Sequence, residues 1–284
     1  VPAVASGRPV AVAYSPEAVW ALLAGETPSL ARIDPASGEE AAARVPLPID
    51  AARLAVSSAD GVWLGGNDRV FQIDPESGVA ATTIALTGVP ERLLLAHGAL
   101  LVLVSHPGAT GQLESLDPAS GARRWAADVG PGPVALTTWR GSVWVADRVS
   151  HDLRSFDEAT GLPGRVERLP GDAAASAPVE LSATRDGLIV CLTDQVLLQP
   201  VEGRLDRRIA LGALRAIAFA ASPSASWILA TAPGDPAPAL YRIAGTVGPA
   251  TRLGGSAVAI ATGGGQVWVA NQGLASVTRV PERG

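Results

Sequence analysis

Apolar residues in this chain fall into short runs, many alternating with polar positions, and the runs break repeatedly at Gly, Pro, Asp and Ser. Alternation with a period of two marks strands that bury one face. Frequent turn residues between such runs mark an all-β fold. None of the runs reaches the ~18 apolar residues of a membrane-spanning helix.

The runs also repeat. Val62-Trp63-Leu64-Gly65-Gly66, Val143-Trp144-Val145-Ala146-Asp147 and Val267-Trp268-Val269-Ala270-Asn271 are near-copies. Val19-Trp20-Ala21-Leu22 and Ser226-Trp227-Ile228-Leu229 are weaker copies, and Leu100 and Ile189 fill the two remaining gaps. Positions 20, 63, 100, 144, 189, 227 and 268 thus recur about every 41 residues, the repeat length of a four-stranded propeller blade.

A second motif keeps the same beat. Asp34-Pro35-Ala36-Ser37-Gly38, Asp74-Pro75-Glu76-Ser77-Gly78, Asp117-Pro118-Ala119-Ser120-Gly121 and Asp157-Glu158-Ala159-Thr160-Gly161 each have the chemistry of a tight turn. Asp accepts from N–H groups two residues on, Pro presets φ, and Gly takes the left-handed conformation. Alternating runs such as Val70-Phe71-Gln72-Ile73 precede them, so each turn joins a third strand to a fourth. One unit reads as strand A at 53–57, B at 62–66 with its Trp, C at 69–73 and D at 81–86. Small residues such as Val10-Ala11-Val12-Ala13 suit strand A, nearest the axis.

The last unit has strands A to C and no D, while a spare segment at 1–5 precedes the first strand A. An N-terminal strand would complete the last blade and remove an exposed edge at the seam. The expectation is one seven-bladed β-propeller domain over 1–284. Its blades lie near 8–46, 52–86, 91–128, 132–169, 178–211, 213–254 and 256–280 plus 1–5. A six-bladed ring with insertions is the alternative, because blade six rests on Trp227 and a weak turn.

Composition narrows the function classes. The net charge is −5, which argues against nucleic acid as a partner, since phosphate binding needs a concentrated basic face. All 22 basic residues are Arg, which fits the codon usage of a high-GC genome. Cys191 is the only cysteine and sits among Leu188, Ile189, Val190 and Leu192, so a buried, inert thiol is expected. Met is absent even at position 1, so the chain as given starts after processing or trimming. A removed signal peptide, and with it an extracytoplasmic location, is the expectation.

The pairing of Val143-Trp144-Val145-Ala146-Asp147 with Phe156-Asp157-Glu158-Ala159-Thr160-Gly161, together with the Gly and Pro residues of Val129-Gly130-Pro131-Gly132-Pro133, resembles the YVTN-type propeller repeats of bacteria. The resemblance covers nearly the whole chain and fades in blades five and six. It implies a propeller used as a periplasmic binding or scaffold protein, a lactonase-like or virginiamycin B lyase-like enzyme, or the extracellular sensor domain of a larger receptor. Asp117-Pro118-Ala119-Ser120-Gly121-Ala122-Arg123-Arg124-Trp125 is similar to a quinoprotein repeat. It occurs once, so Trp125 reads as blade packing, with no quinone or other cofactor expected.

No nucleophile elbow, zinc helix, Walker loop or Cys-x-x-Cys motif is present. The Asp-Pro turns lack the alternating acidic ligands of a calcium loop, so no metal is expected. The strand-B tryptophans read as inter-blade packing. Trp139 stands apart in an A–B loop, where it would be a surface contact. His97 belongs to an A–B loop, and His106 and His151 to the B–C loops of blades three and four.

In a propeller the B–C loops and D–A crossings share one face at the channel mouth. That face collects Asn67, Asp68, His106, Asp147, Arg148, His151, Asp194, Asp235, Asn271 and Gln272. Strand-A starts add Arg8, Arg53, Arg92, Glu180 and Arg215. Guanidinium groups around one mouth could hold an anionic ligand or a partner's carboxylate, or could pair with Asp50, Glu91 or Glu180. The main expectation is a non-catalytic binding or scaffold propeller. Its contact residues would be Arg53, Arg92, Arg215, Asn67, Asp68, Arg148 and Asn271, its partner a protein or a small anion. The enzyme alternative would rely on His106, His151, Asp147 and Glu180.

Overall fold

The computed structural model describes residues 3–41, 44–47, 53–57, 61–74, 79–172, 174–200, 207–223 and 225–282. These form seven four-stranded antiparallel sheets and no helix among the described residues. The first blade holds Arg8–Tyr14, Val19–Ala24, Ser29–Ile33 and Val45–Pro46, and the second Arg53–Ser57, Gly61–Gly66, Arg69–Ile73 and Ala80–Ala85. Blade three is built from Val89–Ala96, Ala99–Ser105, Gly111–Leu116 and Arg123–Gly130. Blade four follows with Pro133–Trp139, Ser142–Asp147, Asp152–Asp157 and Pro163–Arg168. Pro178–Thr184, Gly187–Leu192, Gln195–Pro200 and Arg207–Ala210 make blade five. Blade six is a full sheet of Arg215–Ala221, Ser226–Ala232, Asp235–Ile243 and Val247–Arg252, which removes the six-bladed alternative.

Ala257–Gly263, Gln266–Asn271 and Ser276–Pro281 supply three strands of blade seven, and its fourth is Ala3–Ser6. Ala3 lies opposite Thr278 and Ser6 opposite Ser276, so the expected N-terminal strand closes the ring. Every sheet edge then faces either the channel or the rim, and the seam is paired like any other blade.

The register explains the repeat. Ala13, Ala55, Thr137, Ala220 and Ala261 of strand A oppose Trp20, Trp63, Trp144, Trp227 and Trp268 of strand B. A bulge follows the first residues of strand A in six blades, as between Pro90 and Arg92 or Pro178 and Glu180. The channel-lining strand is an edge strand, where a Pro forfeits no ladder bond. Pro9, Pro90, Pro133 and Pro178 all stand there. Counted from the bulge, the Trp-equivalent of blade three is Leu101, opposite Leu94, and not Leu100.

The core lies between blades. Trp63 packs with Val70, Leu100, Val102 and Leu116, across blades two and three. Trp268 packs with Val12, Val19 and Ile33, carrying the same contact across the seam. All five strand-B tryptophans are at most 5% exposed, so they are packing residues and not sugar platforms. Three described Asp turns have the expected chemistry: Asp34 Oδ1 accepts from the N–H groups of Ala36 and Ser37, Asp117 Oδ1 from Ala119 and Ser120, and Asp157 Oδ1 from Ala159 and Thr160. Those donors hold all three carboxyls below their ordinary range, with Arg124 the largest influence on Asp117 and the Thr160 hydroxyl on Asp157.

Candidate functional site: the channel mouth

Strand A enters each blade from the D–A face, so residues just after the bulge lie near that end of the channel. One repeat position there reads Ala11, Arg53, Arg92, Ala135, Glu180, Ala218 and Ala259 around the ring. Small residues hold four of these seven positions and leave space, which the side chains of Arg92 and Glu180 enter. The innermost strands enclose a cavity of about 510 Å³, lined by Arg92 and Glu180 together with Val179, Ile217 and Val258.

Arg92 and Glu180 belong to blades three and five, yet Arg92 Nε comes within 3.7 Å of Glu180 Oε2. That is Coulombic contact, longer than a hydrogen bond. Arg92 Nη1 donates to the Glu91 carbonyl at 3.2 Å, while the buried Nε has no hydrogen-bond acceptor. The guanidinium therefore keeps unspent donor capacity inside a partly desolvated mouth. Glu180 keeps 28% of its side chain open to the channel but is ringed by protein. Burial raises its carboxyl above the ordinary range, opposed by the Arg92 charge and by the Leu181 N–H at 3.2 Å. Burial also pushes the Cys191 thiol far up, and the charge of Glu180 adds to the shift, so the thiol is inert as expected. The Arg53 backbone begins strand A of blade two; its side chain, like Asp50, lies outside the described residues.

The loop residues of this face divide into two groups. The first is spent on holding loops. Asp147 is fully buried; its Oδ2 accepts from the Gly132 N–H, and its Oδ1 from those of Val149 and Ser150, all at 2.8 Å. Asn271 stands at the same repeat position, donates to the Gly254 carbonyl at 2.7 Å and accepts from the Leu274 N–H at 3.1 Å. His151 is 1% exposed at positive φ, with Nε2 3.3 Å from the Pro170 carbonyl and Nδ1 without a partner. His106 bridges the carbonyls of Thr87 and Thr110 at 3.1 and 3.2 Å. Asp194 accepts from the Ser176 hydroxyl, and Asp235 pairs with Arg252 at 2.8 Å.

The second group is open to solvent. Arg148 and Arg215 are exposed and make no ion pair among the described residues, and Asn67 and Asp68 form an exposed two-residue turn, Asp68 pairing with Arg69. Val89, Val149 and Leu274 expose apolar surface on the same face.

Among the candidates whose side chains are described, Arg92 and Glu180 are the ones brought together in the channel. Among the described residues no group of three or more His, Cys, Asp or Glu converges to hold a metal. His97 lies on the opposite face and reaches Glu158 of blade four at 2.6 Å. Trp139 is half-buried against Trp144, with ring centroids 6.4 Å apart, and under Arg140 at 5.3 Å. The role of Asp147 and Asn271 was missed by reading loops singly; their shared place three residues after Trp144 and Trp268 is the signal that reveals it.

No protein-family model matches the chain, and no curated protein matches it. Solved structures do. Hydrazine synthase of Kuenenia stuttgartiensis is similar at 12% identity and a TM-score of 0.81, covering 99% of this chain and 97% of that one. The β-propeller domain of Cps50 (Swd1) from Myceliophteria thermophila is similar at 10% identity and a TM-score of 0.77, covering 98% of both chains. BamB from Moraxella catarrhalis is similar at 12% identity and a TM-score of 0.67, again covering 98% of both. At such identities the likeness is one of fold.

Proposed function

We propose that this chain is a non-catalytic binding or scaffold propeller of the YVTN type, working outside the cytoplasm. Its B–C/D–A face takes a small anion, or an acidic side chain of a protein partner, at the channel mouth. The observation that carries the reading is Arg92: a guanidinium in a cavity of about 510 Å³ whose buried Nε has no acceptor. Arg53 holds the same repeat position on the adjacent blade two and would give a second cation at the mouth, and exposed Arg148 and Arg215 extend the positive rim. Fork-shaped donors in a low-dielectric mouth suit a carboxylate or sulfate-like group. His106, His151 and Asp147 support the non-catalytic reading, because backbone groups of the neighbouring D–A segments engage them.

The test is a calorimetric titration with sulfate and with citrate. Wild type should bind, and Arg92→Glu alone should weaken sulfate by about tenfold or more, the loss of one charge-assisted contact. Arg53→Glu with Arg92→Glu should abolish binding. Affinity for sulfate should rise as pH falls through the elevated pKa of Glu180, because neutralising that carboxyl frees Arg92. Equal heats for wild type and the double variant would sink the proposal.

A further inference from the structure

The cavity inside the ring has two unlike sides. Among the described residues, blades six, seven and one line it with apolar side chains alone, Val10, Ile217 and Val258 nearer the mouth and Phe219 and Ile260 further in. Its polar side chains, Arg92, Thr137, Glu180 and Ser182, all belong to blades three, four and five. The apolar side has a local cause. Val10, Ile217 and Val258 are the residues that the strand-A bulge skips in their blades. A bulged residue has no cross-strand partner, and its side chain is re-aimed. Here all three line the cavity, and Ile217 is 41% exposed.

On the polar side the charges form a pair of opposite sign with bonds left to make. Arg92 Nε is buried without an acceptor, and Glu180 Oε2, 3.7 Å away, accepts no hydrogen bond among the described residues. A simple anion satisfies the guanidinium but sets its charge beside Glu180 in a partly desolvated space, where like charges repel strongly. A ligand that carries a carboxylate and an ammonium on one carbon engages both partners and adds no net charge. Its ammonium also favours the ionised form of Glu180, which burial disfavours. The cavity, about 510 Å³, falls within the ~300–1,000 Å³ of small-molecule pockets.

We propose, resting on the reading of the mouth as a site for anionic groups, that its ligand is a free apolar α-amino acid. The Arg92 guanidinium takes the α-carboxylate, Glu180 Oε2 takes the α-ammonium, and the side chain lies against Val10, Ile217 and Val258. The two charges of the site stand close together, as the two charges of a free amino acid do. Within a peptide chain they are separated, so the site selects the free molecule.

The test is calorimetric titration of the full chain with L-leucine, glycine, isocaproate, which is leucine without its ammonium, and isoamylamine, which is leucine without its carboxylate. Leucine should bind about tenfold or more tightly than glycine, through burial of its side chain. It should exceed isocaproate and isoamylamine by about tenfold or more, one charge-assisted contact each. Glu180→Gln should act with opposite signs, weakening leucine about tenfold while strengthening isocaproate, a split that a merely structural role for Glu180 would not produce. Ile217→Asn, a change at a solvent-open position, should erase the preference for leucine over glycine. Sulfate binding without any preference for leucine over glycine or isocaproate would overturn the amino-acid assignment and leave Arg92 as an anion site. Heats absent for sulfate and leucine alike would sink both.

Discussion

Asp147 and Asn271 share one repeat position and full burial, but their neighbours demand opposite chemistry. The D–A segment offers Asp147 a donor, the Gly132 N–H, and offers Asn271 an acceptor, the Gly254 carbonyl. Asn271→Asp therefore places a carboxylate oxygen against a carbonyl oxygen that now sits 2.7 Å from an amide nitrogen. A buried carbonyl left without its donor costs about 1–3 kcal/mol. An unpaired buried charge brings the total to ~3–5 kcal/mol. At about 2 °C per kcal/mol for a chain of this size, melting at neutral pH should fall by roughly 6–10 °C.

The pH dependence gives a second, sharper signature. Desolvation raises the folded pKa of the introduced carboxyl above its unfolded value of ~3.9. Below both values the protonated oxygen donates to Gly254, and the variant approaches wild type; the deficit opens as pH rises through the raised folded value. Asp147→Asn makes the reciprocal error, setting an amide N–H against the Gly132 N–H, and should cost about 2–3 kcal/mol. Thermal melts followed by circular dichroism from mildly acidic to neutral pH read both variants. A melting temperature for Asn271→Asp within about 1 °C of wild type at neutral pH would refute the loop-holding role, as would a deficit that ignores pH.

Two further changes test the packing and the channel. Gly161→Ala forces a Cβ 2.6 Å from the Trp125 ring at a φ of 71°, so it should cost ~2–3 kcal/mol. Urea midpoints in a cycle with Trp125→Ala should show coupling, and strict additivity would contradict the contact. Glu180→Gln removes a carboxyl whose raised pKa makes wild type lose stability as pH climbs from the ordinary Glu range through the folded value. The pH profile of its urea midpoint should be flatter in that window, and an unchanged slope would count against burial of the charge.

The fold was legible because two independent signals share one period: bulky Trp at an inter-blade position, and Asp-to-Gly turns that dock on the previous blade. Where a signal is uniform, phase is lost. Blade three carries an unbroken apolar run from Ala99 to Val104, so nothing local separates Leu100 from Leu101, and only the bulge at Pro90 fixes the register. The site was legible in part. Arg92 and Glu180 each stood out as charges at a strand-A start, but their approach across the intervening blade depends on ring curvature, which no local pattern encodes. Asp147 looked like a candidate acid because a buried carboxylate that caps a loop and one that serves chemistry read alike until its N–H partners are placed.

Ring closure also fixes an order of events in time. Six blades can form from neighbouring hairpins as the chain emerges, each using contacts close in sequence. The Ala3–Thr278 pairing cannot form until strand C of blade seven exists. Until then Ala3–Ser6 has no strand to pair with, and the inner face of blade one waits for Trp268. A nascent or truncated chain thus presents two apolar, unpaired blade faces together, the state most open to capture by another chain. Losing the final few strands would therefore strip protection from both ends of the arc at once, in contrast to an open solenoid shortened by one repeat.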